Sequence, residues 1–362
     1  MKKWFTMLLC SITVLSFSAC GSNSQEESAN VQEESEVSAT SPESSSVPEE
    51  AKLKVSVSFD AMKELTAAVG KDKVEISTII PDGTEAHDFE PKAQDLVNLS
   101  AANVFVYNGL GMESWAEDAV SAAANADMIV VEASKGADVI ERENADADEA
   151  HEDETEEHGD EAHEDEADEH GDEEHKDKAD EHGDDDHDGH HHGKYDPHLW
   201  LSLKGAQTQA KNIKDALVQA DPSNKEYYEQ NCDEFIAQSE VLYNDYSEKF
   251  QSVENKSFVT GHAAFGYLCR DFGLEQNSVR DIFAEGEPSA QQLAELVEYC
   301  RENNVTTIFS EEMVSTEVSQ TLANEVGAKV EIIYTLENAQ DNMTYLERME
   351  SNLSKIYASL TE

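Results

Sequence analysis

Apolar and polar residues recur along this chain at two periods, and the periods take turns. LKVSVSF, from residue 53, alternates as a strand does, and AMKELTAAVG after it has helical spacing and stops at Gly70. VEISTII is a second strand, ended by the turn PDG. PKAQDLVNLSAA is helical, NVFVYNG is a third strand, and the helix WAEDAVSAAANA leads into the strand MIVVEA. Such alternation predicts a parallel sheet covered by helices on both faces. It resumes near the C-terminus. SFVTG is a strand, AAFGYLCRDFG and SAQQLAELVEYCRENN are helices, TTIFS is a strand, SQTLANEVG a helix, VEIIYTL a strand and MTYLERMESNLSKIYASL a closing helix. Between the two regions, residues 223–253 have almost no Gly or Pro. Their Tyr227, Phe235, Val241, Leu242, Tyr246 and Phe250 are spaced for one buried helix face. That helix would run ~45 Å at ~1.5 Å per residue. The expected fold is α/β: two parallel-sheet lobes, residues 52–222 and 254–362, joined by one long rigid helix over 223–253.

The pattern fails in two places. Residues 1–19 have two lysines, an apolar stretch and then small residues, the design of an export signal and too short for a spanning helix. FSAC resembles a bacterial lipobox, with Cys20 as the lipidated first residue of the mature chain; Phe17 departs from the usual Leu, Val or Ile. The Ser- and Glu-rich stretch that follows, to residue 51, has too little apolar surface to fold and reads as a tether. The mature protein is therefore expected outside the cytoplasm, lipid-anchored at the outer face of the bacterial cell membrane. The second failure covers residues 141–194. HGD recurs every twelve residues there, at His158, His170 and His182, with His151, His163, His175 and His187 marking a second phase. With almost nothing apolar to bury, this tract reads as a disordered insertion in the first lobe.

Charge follows the same division. Of the formal charge of −54, residues 141–193 supply 27 acids against three bases. The remaining body is also acidic, which argues against nucleic acid and anionic lipid as partners and suits a cation. Beyond Cys10 and Cys20 there are Cys232, Cys269 and Cys300, an odd set that allows one disulfide, for which Cys269–Cys300 is the expected pair.

Histidine usage changes the picture most. Of thirteen histidines, ten lie in the acidic tract: those named above plus His190, His191 and His192. The other three are His87 in TEAHDFEP, His198 in YDPHLWL and His262 in TGHAAFGYL. A lone loop histidine is more often a surface residue than a ligand. Here position argues otherwise, because ligands of open parallel sheets bind beyond the carboxyl ends of the strands. His87 follows VEISTII and its turn, and His262 follows SFVTG. Glu311 and Glu312 follow TTIFS, and Glu337 follows VEIIYTL. Glu90 reads instead as the acidic opening of a helix at Pro91. Three imidazoles and one carboxylate suit four-coordinate Zn²⁺, and spacing leaves the choice among the three glutamates open. The tract's ten histidines would add weak zinc binding beside the cleft. A zinc hydrolase is the competing class, but HExxH is absent. So is any GxxxxGK[ST] phosphate loop.

These segments carry a resemblance. PDGTEAHDFEPKAQDL, DPHLWL and TGHAAFGYLCRDFGL, with an acidic His-rich insertion before DPH, resemble the zinc-specific solute-binding lipoproteins of ATP-binding cassette importers, the ZnuA/AdcA type of metal-binding cluster A-I. The resemblance covers residues 52–362. It implies two lobes joined by a long helix, with Zn²⁺ carried in the cleft between them by His87, His198 and His262. It also implies a fourth ligand in the loop after the last strand, Glu337. Manganese relatives carry a carboxylate in place of the third histidine, so His262 points to zinc. The implied protein is a monomer and not an enzyme. It hands its ion to a permease driven by a separate ATPase. The alternatives are a manganese-binding importer subunit or a metal-dependent surface adhesin.

Overall fold

The computed structural model describes residues 51–142, 193–281, 288–312, 316–340 and 342–362. The export signal, Cys20, nearly all of the tether and the ten clustered histidines lie outside the described residues. In the first lobe β1 (Leu53–Val57), α1 (Asp60–Gly70), β2 (Val74–Thr78), α2 (Ala93–Ser100), β3 (Val104–Tyr107), α3 (Ala116–Ala123) and β4 (Ile129–Glu132) follow in order. The strands pair in parallel as β2-β1-β3-β4. Val55, Val57, Val104, Phe105 and Val106 are fully buried, as strands sandwiched between helices require.

The second lobe repeats this topology. Its β5 (Ser257–His262), α6 (Gly266–Phe272), β6 (Glu275–Arg280), α7 (Ala290–Glu302), β7 (Thr307–Glu311), α8 (Glu317–Val326) and β8 (Lys329–Ile333) form a parallel sheet in the order β6-β5-β7-β8. In each sheet the chain moves first to one side of the opening strand and then crosses to the other. The two switch points, between β1 and β3 and between β5 and β7, are the places where such sheets hold ligands.

α4 (Leu203–Ala220) packs against α1, β3 and β4 of the first lobe, α5 (Lys225–Gln251) links the lobes, and α9 (Tyr345–Thr361) closes the fold. With 27 residues α5 is ~40 Å long. Its buried face differs from the expected one. Val241 is 71% exposed, whereas Tyr228, Cys232, Phe235, Tyr246 and Phe250 are buried. Two elements escape the sequence pattern. The inner face of α4 mixes Leu203, Ile213 and Leu217 with Gly205, Ala206, Gln209, Ala210 and Ala216, and β6 reads EQNSVR, an edge strand with a half-wet polar face. The helix expected at Pro91 starts at Ala93 instead. Asp95, not Glu90, accepts the exposed Lys92 N–H at its start.

One apolar core runs through both lobes. It joins Val57, Phe59 and Leu65 of the first to Trp200 and Ile213, then to Phe235 and Phe250 of α5. From there it continues to Phe258, Phe309 and Met349. A smaller core of Val259, Ile308, Leu296 and Leu322 lies under α7 and α8. Neighbouring residues of β5 and β7 thus point into different cores, as the pleat demands. This overturns the Cys269–Cys300 disulfide. Cys269 lies in the shared core and Cys300 in the smaller one, on opposite faces of the sheet, and both are free thiols, as is Cys232.

Candidate metal centre

Each residue of the centre is delivered by local chemistry. After β2 the chain keeps pairing with β1, where Ile79 and Ile80 N–H donate to Val57 and Ser58 carbonyls. It then turns at Pro81 and presents half-buried His87. The ends of the acidic tract are tied by an antiparallel bridge between Glu141 and Tyr195. Immediately beyond, Asp196 accepts the backbone N–H of His198 at 2.9 Å, an Asx turn that Pro197 rigidifies. His198 is wholly buried, with Trp200 packed 5.2 Å from it, centroid to centroid. His262 is the last residue of β5. Glu337 follows Leu336, whose φ of +62° is a left-handed conformation that costs a leucine roughly 1–2 kcal/mol.

These four meet. One ligand atom from each of His87, His198, His262 and Glu337 lies within 4.8 Å of the other three. The Nε2 atoms of His87 and His198 are 3.3 Å apart, and those of His198 and His262 are 3.4 Å apart. A tetrahedral zinc ion with ~2.0–2.1 Å bonds sets its ligand atoms ~3.3–3.4 Å from one another. These two imidazole spacings are those of a coordination shell.

The surroundings prepare the donors. Asp196 Oδ1 also accepts from His198 Nδ1 at 2.9 Å, which fixes the proton there and leaves the Nε2 lone pair facing the centre. Burial, with His262 adding to it, holds the His198 pKa well below the ordinary imidazole range, so this ring is neutral. Burial also pushes Asp196 up to about 7. At His262 burial alone would lower the pKa, but Glu311 outweighs it and the net shift is upward. For Glu311 burial acts upward and His262 more strongly downward, so its carboxylate is ionised. Burial drives Glu337 up to about 8; His262 opposes this, and the nearby Glu85, Glu312 and Glu311 add to it. Without an ion the centre holds protons, and a divalent cation would expel them.

The three glutamates left open by spacing take three different tasks. Glu311 Oε1 accepts the His262 backbone N–H at 2.9 Å and lies 3.6 Å from its Nδ1, so it braces the ring from behind. Glu312 accepts the backbone N–H groups of Thr335 and Leu336, at 2.8 and 3.1 Å, and fastens the turn that presents Glu337. Glu337 alone of the three faces the imidazoles, and its Oε1 has no hydrogen-bond partner among the described residues. Sequence reasoning missed Asp196. Its signal was the DPH triplet, which sets a carboxylate two residues before a histidine across a proline. It also missed Gly261, whose absent Cβ leaves room for the Glu311 carboxylate.

Residues 55–359 match the ZnuA family, described as zinc-uptake complex component A, periplasmic. The chain belongs to that family. The resemblance read from the three histidine segments is borne out across the body of the protein. A Treponema pallidum protein is 41% identical over 311 residues, which cover 86% of this chain and 88% of its own. The high-affinity zinc uptake system protein ZnuA of Bacillus subtilis is 36% identical over 364 residues, 99% of this chain and 98% of its own. Among solved structures, the laminin-binding protein of Streptococcus agalactiae superposes with a TM-score of 0.69 at 30% identity, over 86% of this chain and all of its own. That protein is described as bifunctional, with adhesin and metal-transporting activity. Members of this zinc-uptake family are binding components rather than enzymes, and the two-lobe architecture is common to them.

Proposed function

We propose that this protein captures Zn²⁺ outside the cytoplasm and delivers it to the permease of an ATP-binding cassette importer, whose ATPase is a separate chain. Zinc is cargo, bound between the lobes by His87, His198, His262 and Glu337. The observation that carries this reading is the convergence of three imidazole nitrogens and one carboxylate oxygen within 4.8 Å of one another, in a chain of the zinc-uptake family. Neutral nitrogen donors with a single carboxylate favour zinc over harder ions such as manganese. Cys20, lipidated, would hold the protein at the outer face of the membrane, and the clustered histidines would feed the cleft by weak binding.

The test is equilibrium competition against a zinc chelator of known affinity, on the full chain and on Glu337→Gln. One tight zinc per chain is expected, weakened at least tenfold by the substitution. A chain with no stoichiometric zinc would end the proposal. A second reading, adhesion to host matrix, draws on the Streptococcus agalactiae neighbour. Laminin binding by zinc-loaded and zinc-free protein tests it, and no binding in either state removes it.

A further inference from the structure

Outside the four ligands, one buried charged pair has no part in the chemistry above. Arg348 on α9 and Asp60 at the start of α1 are 1% and 2% exposed, and Arg348 Nη2 lies 2.6 Å from Asp60 Oδ2. They are 288 residues apart in sequence and belong to opposite sides of the cleft. A buried ion pair is a poor source of stability, because desolvation offsets most of the attraction and apolar replacements often do as well. Its retention calls for a geometric reason, and the hydrogen bonds around it supply one.

Those bonds end on the segment that carries Glu337. Arg348 Nη1 donates to the Asn338 carbonyl at 2.9 Å, and the Asp60 N–H donates to the Glu337 carbonyl at 3.4 Å. The Asn338 side chain reaches back across the cleft, where its Oδ1 accepts the Gly83 N–H at 2.6 Å, in the loop leading to His87. Lys63 occupies the other Asp60 oxygen at 3.0 Å, which leaves that carboxylate one orientation. On the N-terminal side, the same segment is fastened by Glu312 through Thr335 and Leu336, and Leu336 sits in its costly left-handed conformation. A strained turn persists only where its surroundings over-determine it.

We propose that Arg348 and Asp60 are positioning residues for Glu337. The pair clamps the Glu337–Asn338 backbone from both lobes, so that the carboxylate meets the three imidazoles already oriented. This inference rests on the zinc-binding reading above, and its test separates the two.

The experiment is a double-mutant cycle on the full chain, with zinc affinity read by chelator competition. Arg348→Lys keeps the charge, but a single ammonium replaces the two-pronged guanidinium that bridges Asp60 and Asn338. Arg348→Lys alone is expected to weaken zinc roughly ten- to hundredfold, as loss of an outer support does. On a Glu337→Gln background it should add less than about threefold, because a clamp has nothing left to position. The Co²⁺-loaded Arg348→Lys protein should show a visible absorption spectrum displaced toward that of Glu337→Gln, a change that a merely structural residue would not produce. Should Arg348→Lys fail to fold, Asp60→Asn, which keeps the side chain's shape and removes the charge that orients Arg348, enters the same cycle with the same expectation. Full additivity, or wild-type affinity in the single variant, overturns the positioning role while zinc binding by the parent stands. Absence of tight zinc from the parent chain overturns the proposed function itself.

Discussion

Gly261→Ala is the sharpest probe of the centre, because it leaves all four metal-facing side chains unchanged. An added Cβ would lie 2.0 Å from Glu311 Oε2, 2.8 Å from its Cδ and 2.9 Å from Oε1. Comfortable contacts begin near ~3.5 Å, so the carboxylate must retreat by more than ~1 Å. Glu311 is buried and cannot swing into water. Its retreat breaks the 2.9 Å bond from the His262 N–H, a charged hydrogen bond worth roughly 1.5–3 kcal/mol. It also removes the carboxylate behind the His262 ring, and losses of that kind weaken metal binding about ten- to hundredfold. Two effects are therefore expected together: a loss of roughly 2–3 kcal/mol in urea unfolding of the zinc-free protein, and a zinc dissociation constant raised at least tenfold. Glu311→Gln should reproduce the second. If Gly261→Ala loses stability but keeps wild-type zinc affinity, Glu311 does not support the His262 ring.

Proton competition gives a second prediction. Because the His262 pKa is raised, zinc must displace a proton there, so affinity falls as pH drops through the upper imidazole range. His198, already neutral, does not compete. Titrations showing equal affinity at pH 5 and 7.5 would contradict this. Stability has its own pH dependence through Glu113, which is buried beneath the Asn108 and Gly109 N–H groups it accepts and is pushed up to about 7 from the usual 4.5. A raised carboxyl contributes stability that is complete below its unfolded pKa and is lost as pH rises through about 7. That amounts to roughly 3 kcal/mol. In urea unfolding of zinc-free protein, the gap between wild type and Glu113→Gln should therefore change by about that amount between pH 4.5 and 8, and a constant gap would refute it. Deleting residues 145–193 should leave circular dichroism and one tight zinc site intact, since the flanking residues are already bridged at Glu141 and Tyr195. Loss of that site on deletion would assign the tract a direct ligand.

How far the sequence could be read depended on distance along the chain. A strand such as VFVY announces itself, because its positions are nearly all buried and none is charged. The three histidines were legible because each sits in a short motif, His87 and His262 beyond strand ends and His198 just after the acidic tract. The choice among Glu311, Glu312 and Glu337 was not legible from spacing. Consecutive residues leaving a strand point in opposite directions, and the path of the following loop decides which one turns inward. Resemblance favoured Glu337, and the structure brings that residue to the imidazoles. The Arg348–Asp60 contact could not be foreseen, since no local pattern marks residues 288 apart as partners. The helix Leu203–Ala220 was missed for a composition reason: small and polar residues (Gly205, Ala206, Gln209, Ala210 and Ala216) interrupt Leu203, Ile213 and Leu217 on its inner face and blunt the hydrophobic contrast.

Because a single body of packed side chains passes from one half of the molecule to the other, the halves are not portable modules. Calorimetry should give one melting peak where two sheets invite the expectation of two, and a chimera that exchanges one half with a distant relative should fail unless the seam is exchanged with it.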